Sequence, residues 1–156
     1  MFVKQSLNFL VVDDFSNMCK IIRTTLRNCG YVNVEESTNA AEGLSKLRQG
    51  RLNFAIIDVN MPGMNGIEMV KEIRRDEKIC HIPVLMMSAD ARKELVVGAL
   101  QSGAQSYMVK PFTGGMLEDK VIDILKSLNQ DALRRLNVIH GQTESKEKFP
   151  FFTRLH

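Results

Sequence analysis

Cysteine is scarce in this 156-residue chain, and what there is does not pair: Cys19, Cys29 and Cys80 are odd in number, widely spaced and outside any C-x-x-C motif. A disulfide framework and a zinc or dithiol site are therefore not expected, and the three read as reduced, buried thiols of a cytoplasmic protein. Charge of one sign is also lacking. Lys and Arg number 21 against 18 Asp and Glu, a net charge of +3 without the dense basic stripe of a phosphate-backbone binder, so nucleic acid is not an expected partner. Long apolar runs are missing too. The stretch from Leu7 to Val12 is too short for a signal h-region and runs into two aspartates, and nothing approaches the length of a bilayer span, so no membrane partner is expected. The rest is ordinary: 44% hydrophobic and 25% charged residues describe a globular chain long enough to bury one core.

What the chain does have is a series of short apolar runs that turn polar at their ends. Phe9 to Val12 is followed by Asp13 and Asp14, Phe54 to Ile57 by Asp58, Val84 to Met87 by Ser88, and Ser106 to Val109 by Lys110. Asn33 to Ser37 is a weaker strand candidate. Between the runs lie helical stripes: Met18, Ile21, Ile22, Leu26 and Cys29 up to a stop at Gly30; Leu44 and Leu47 behind an Asn39 cap; Ile67, Val70 and Ile73; Leu95, Val96, Ala99 and Leu100; and Leu117, Val121, Leu125 and Leu128 in a helix starting near Thr113. Residues 60–66 break every period and read as a loop. Five strands alternating with five helices predict an α/β fold with a doubly wound parallel sheet, helices on both faces and right-handed crossovers.

In such sheets ligands bind outside the carboxyl ends of the strands, where the winding reverses. Carboxylates meeting there within about 5 Å would repel by roughly 3 kcal/mol per pair at an effective dielectric near 20, so the cluster must take up protons or a cation. All-oxygen ligation with few carboxylates suits Mg2+, with Asp13 and Asp14 as its holders. Asp58 is expected to face positive charge from two sides, to stay ionised and to serve as a nucleophile toward a phosphoryl group. Blander readings stand beside these. Asp13 and Asp14 could cap a helix, Lys110 could be a solvated lysine, Ser88 could cap the next helix, Tyr107 could be a static ring, and the methionines near the site could be core filler.

FLVVDD, IIDVNMPGMNG, MMSA and YMVKPF, in this order and spacing over about residues 6 to 128, resemble the receiver domain of two-component response regulators. The resemblance implies a flavodoxin-like strand order 2-1-3-4-5. It makes Asp58 the phosphoacceptor and gives Mg2+ to Asp13, Asp14 and the backbone carbonyl of Asn60. Ser88 and Lys110 would contact the phosphoryl group, Tyr107 would be the switch aromatic, and Asn60 and Asp90 would occupy positions that tune dephosphorylation. Lys110-Pro111 matches a position at which the family has a cis peptide. The implied partners are a sensor histidine kinase and a downstream target, with a flagellar motor switch or another chemotaxis component foremost.

The receiver domain is expected over residues 1–128, with an extension over 129–156 too short for an output domain. Ala132, Leu133, Leu136 and Ile139 continue an apolar stripe, either as a prolonged last helix or as a separate one from Asp131, and this segment could mediate a homodimer. Phe149, Phe151 and Phe152 are either an anchor or part of a loose end. A phosphorelay intermediate or phosphate sink is the alternative within signalling. A flavin module would need phosphate-binding loops that the acidic first loop lacks, and an aspartyl phosphatase would carry Asp-x-Asp after the first strand.

Overall fold

Strands buried on both faces need apolar side chains at successive positions, and those positions feed two separate cores. In the computed structural model, which describes residues 4–139 and side chains as far as 135, five strands form one parallel sheet in the order β2-β1-β3-β4-β5, with β2 as a polar, half-buried edge. They are β1 (Asn8–Val12), β2 (Asn33–Ser37), β3 (Phe54–Asp58), β4 (Val84–Ser88) and β5 (Ser106–Val109). Leu10, Val12, Ala55, Ile57, Val84 and Met86 point to one core. Their neighbours Phe9, Val11, Phe54, Ile56, Leu85 and Met87 point to the other.

The helices follow this division. α2 (Ala40–Arg48), α3 (Gly66–Arg75) and α4 (Lys93–Ser102) cover the first core, while α1 (Ser16–Asn28) and α5 (Gly114–Ile139) cover the second. Asn39 caps α2 by accepting the Glu42 N–H at 2.8 Å, and Thr113 does the same for α5 through Met116 at 3.1 Å. α1 stops at Gly30, whose φ of 96° lies in the left-handed region that favours glycine. No helix among the described residues is long and apolar enough to cross a membrane.

Two expectations are corrected. Ile21 and Leu100 do not point inward; they are 55% and 45% exposed. In α1 the buried stripe is Cys19, Ile22 and Leu26. Ile21 lies about 100° round the helix from Ile22, so its apolar character does not by itself decide its side. The thiols are not uniformly buried either: Cys19 is, Cys29 is half-buried, and Cys80 is exposed in the turn between α3 and β4, where no element covers it. After Leu128 the helix continues without a break to Ile139. The aromatic run at Phe149, Phe151 and Phe152 lies outside the described residues.

Winding reverses between β1 and β3, so the loops after these strands face each other. The loop after β3 returns tightly: the Gly66 N–H donates to the Val59 carbonyl at 2.9 Å. A Cβ on Gly66 would overlap the Asp58 carbonyl oxygen and come within 2.6 Å of the Met86 methyl. Gly66→Ala should therefore lower the unfolding free energy by about 3 kcal/mol or more, because backbone must move. Gly50→Ala, at φ 84° with open space around it, should cost about 1 kcal/mol from backbone conformation alone. Urea unfolding compares the two, and equal losses would show that the close approach is not a constraint.

Candidate functional site

Each site residue stands where a strand leaves the core. Asp13 follows β1, and its N–H continues the ladder to the Ser37 carbonyl at 3.1 Å. Its Oδ1 accepts the Phe15 N–H at 3.0 Å, which turns the chain into α1. Asp58 is the last residue of β3 and is 5% exposed. Lys110 follows β5, held by its N–H to the Ser88 carbonyl at 2.8 Å and joined to Pro111 by a cis peptide. Neither Asp13 nor Asp14 caps α1: the N-cap is Phe15, without a side-chain bond.

The side chains converge. One oxygen each of Asp13, Asp14 and Asp58 lies within 4.8 Å of the others. Lys110 Nζ sits 2.8 Å from Asp13 Oδ2 and 3.2 Å from Asp58 Oδ1. It is thus a half-buried bridge and not a solvated lysine. Three carboxylates against one ammonium leave two negative charges uncompensated. Asp14 Oδ1 is buried and accepts no hydrogen bond, an arrangement that costs free energy unless a donor or a cation supplies a partner. A hard cation fits this all-oxygen donor set, and Asp14 is the member with coordination capacity to spare.

Burial pushes the Asp58 carboxyl up from 3.8 to about 6; Lys110 opposes the rise, and Asp13 and Asp14 add to it. Among the described side chains Lys110 brings positive charge to Asp58, and desolvation outweighs it, although the group remains mostly ionised at neutral pH. For Lys110 the balance is reversed: burial works to lower its pKa, but the hydrogen bond to Asp13 and the charges of Asp58 and Asp13 carry it upward.

Beside the carboxylates, the fully buried Ser88 Oγ accepts the Asp90 N–H at 3.1 Å and the Asn60 side-chain amide at 3.4 Å. Tyr107 is 7% exposed, turned inward, with its hydroxyl donating to the Asp90 carbonyl at 2.8 Å. The Asp90 carboxylate turns to Arg92 instead of the cluster. Arg92 was not legible as a site residue; the only signal was an arginine two positions past an aspartate at a helix start. Met61, Met86, Met87 and Met108 are buried core, as the blander reading expects, whereas Met64, in the loop after β3, is exposed and corrects it.

This strand order, with an acidic pocket at the reversal and a lysine bridging it, defines the class. The chain belongs to the family of response regulator receiver domains, whose model matches residues 9–122. It is 40% identical over 126 residues to the chemotaxis protein CheY-3 of Vibrio cholerae, covering 81% of this chain and 97% of that protein. It is also 40% identical over 123 residues to the chemotaxis protein CheY of Pseudomonas aeruginosa, covering 79% and 99%. Among solved structures, the chemotaxis response regulator CheY4 of V. cholerae matches with a TM-score of 0.70 at 31% identity, over 76% of this chain and 98% of that one. A chain of the CheX–CheY–BeF3–Mg2+ complex from Borrelia burgdorferi matches with a TM-score of 0.71 at 25% identity, over 76% and 89%. Receiver domains bind Mg2+ at an acidic pocket, and the residues present here fit it.

The raised carboxyl of Asp58 sets a pH dependence. The folded state binds this proton more tightly than the unfolded chain, so burial of the charge costs stability above about pH 6, and the cost vanishes as pH falls through 3.8. The shift of about two units corresponds to at most about 3 kcal/mol. With metal removed by chelation, Asp58→Asn should raise the unfolding free energy by about 1–2 kcal/mol near pH 7.5 and hardly change it near pH 3.5. Equal or lower stability of the variant near neutral pH would mean that attraction to Lys110 outweighs burial.

Proposed function

We propose that this chain is a phosphorylation-controlled binding protein of the chemotaxis kind, switched by transfer of a phosphoryl group to Asp58. The observation that carries the reading is the Lys110 bridge between Asp13 and Asp58 beside the unpartnered Asp14 oxygen. The donor is a sensor histidine kinase. An oxygen of the ionised Asp58 carboxylate forms the new bond to phosphorus as the bond from phosphorus to the histidine nitrogen breaks, and the proton needed by the departing imidazole comes from solvent.

Asp13, Asp14 and the Asn60 carbonyl would hold Mg2+, which when bound supplies charge compensation for phosphoryl oxygens. Lys110 keeps its ammonium against the cluster and turns it to a phosphoryl oxygen once Asp58 carries the group. Ser88 has a hydroxyl proton to donate, since the Asn60 amide and the Asp90 N–H that bond its oxygen are both donors. A shift of that hydroxyl away from the Asp90 N–H changes the loop that Tyr107 grips, and the ring reports the change on the surface of α4, β5 and α5. Asn60 and Asp90 flank the path by which water reaches the phosphoryl group and so set its lifetime. The reader of this surface is a downstream chemotaxis component, such as a motor switch protein.

Incubation of the purified protein with acetyl phosphate and Mg2+ should add one phosphoryl group to wild type and none to Asp58→Ala, read by intact-mass spectrometry. Loss of the gain on chelation is expected as well. An unlabelled wild type, or a labelled Asp58→Ala, would overturn the reading.

A further inference from the structure

Asp90 uses every polar group it has. Its N–H donates to Ser88 Oγ at 3.1 Å, and its carbonyl accepts the Tyr107 hydroxyl at 2.8 Å. Its Oδ1 accepts the Arg92 N–H at 2.9 Å, while Oδ2 accepts Arg92 Nε at 2.8 Å and lies 2.8 Å from Nη2. The backbone of Asp90 is thereby tied to the phosphoryl site and the switch ring, and its charge is tied to Arg92. The two side chains hold each other's charge: hydrogen bonding to Arg92 lowers the Asp90 carboxyl, and hydrogen bonding to Asp90 raises the Arg92 guanidinium.

The pair does little for the fold. The Arg92 side chain is 72% exposed, and ion pairs of this kind contribute little to stability. Its effect is on where charge sits. Ser88 Oγ is bonded to both Asp90 and Asn60, and Asn60 follows Asp58 by two residues, so Asp90 stands at the rim of the cluster. A free carboxylate there would add to the two uncompensated negative charges an incoming phosphodonor already meets.

Building on the reading of Asp58 as phosphoacceptor, we infer that Arg92 is a positioning residue for phosphorylation: it folds the Asp90 carboxylate outward and neutralises it, so that anionic phosphodonors reach Asp58 past an ion pair instead of a free negative charge. The inference concerns small and protein donors alike, because it acts on charge and not on shape.

The test is the rate of phosphorylation by acetyl phosphate in the full chain with saturating Mg2+, followed by intact mass. Arg92→Ala should slow it by roughly threefold to tenfold at low ionic strength and by less than about twofold at 0.5 M salt, since added salt screens the exposed charge. Arg92→Lys should recover part of the rate, and the melting temperature of Arg92→Ala should match wild type. In an Asp90→Asn background the Arg92→Ala change should have no further effect. An unchanged rate in Arg92→Ala, or an equal fall in both backgrounds, would overturn the inference while leaving Asp58 phosphorylation intact. A wild type that takes up no phosphoryl group would overturn both together.

Discussion

Everything in this molecule is arranged around three carboxylates within 4.8 Å of one another that share one lysine. In water such a group would spread apart or be screened. Here it cannot, because Asp13 and Asp58 are fixed at the ends of strands buried on both sides and are 0% and 5% exposed. The raised Asp58 carboxyl records chiefly the water lost on burial, with repulsion from Asp13 and Asp14 adding to it and Lys110 opposing it. A ligand that removes the repulsion binds the folded chain and not the unfolded one, so its affinity and the stability of the domain are linked. The same crowding makes the site receptive to a cation.

The sheet and the site express a single requirement. A parallel strand covered by helices on both faces admits polar side chains only where it emerges, and the reversal of winding between β1 and β3 brings two of these exits together. Lys110 reaches them from β5, beyond β4, and its own N–H on the Ser88 carbonyl keeps it from drifting. Gly66 completes the arrangement by letting α3 start against the Asp58 carbonyl, where any side chain would intrude.

Four of the strands were legible because burial leaves a short apolar run that ends in a polar or charged residue, whereas β2, a half-buried edge strand, gave a weaker signal and the strand order came from the family resemblance. Helix facing was less legible. Ile21 and Leu100 are apolar yet exposed, because a surface accommodates isolated apolar side chains without penalty enough to forbid them. The upward shift of Asp58 was not legible for a related reason: sequence names the partners of a carboxylate but not the water it has lost. Arg92 escaped notice because its meaning depends on the direction in which the Asp90 side chain turns, which shows only in the hydrogen bonds of that carboxylate to Arg92.

The two ends of α4 are held very differently. At its C-terminal end the Arg74 guanidinium binds the carbonyls of Gly103, Cys80 and Ile82 and the Gln105 side chain, so that α3, the start of β4 and the end of α4 move as one piece. At its N-terminal end the helix hangs from the Asp90 loop, and along its length Ala99 is its one buried residue. A displacement of the Ser88 hydroxyl acts on the Asp90 N–H, and the carbonyl of that same residue holds Tyr107. The shortest route from the acidic pocket to the surface therefore runs through Asp90 into the N-terminal end of a helix whose other end is tied to α3 and the start of β4 by Arg74.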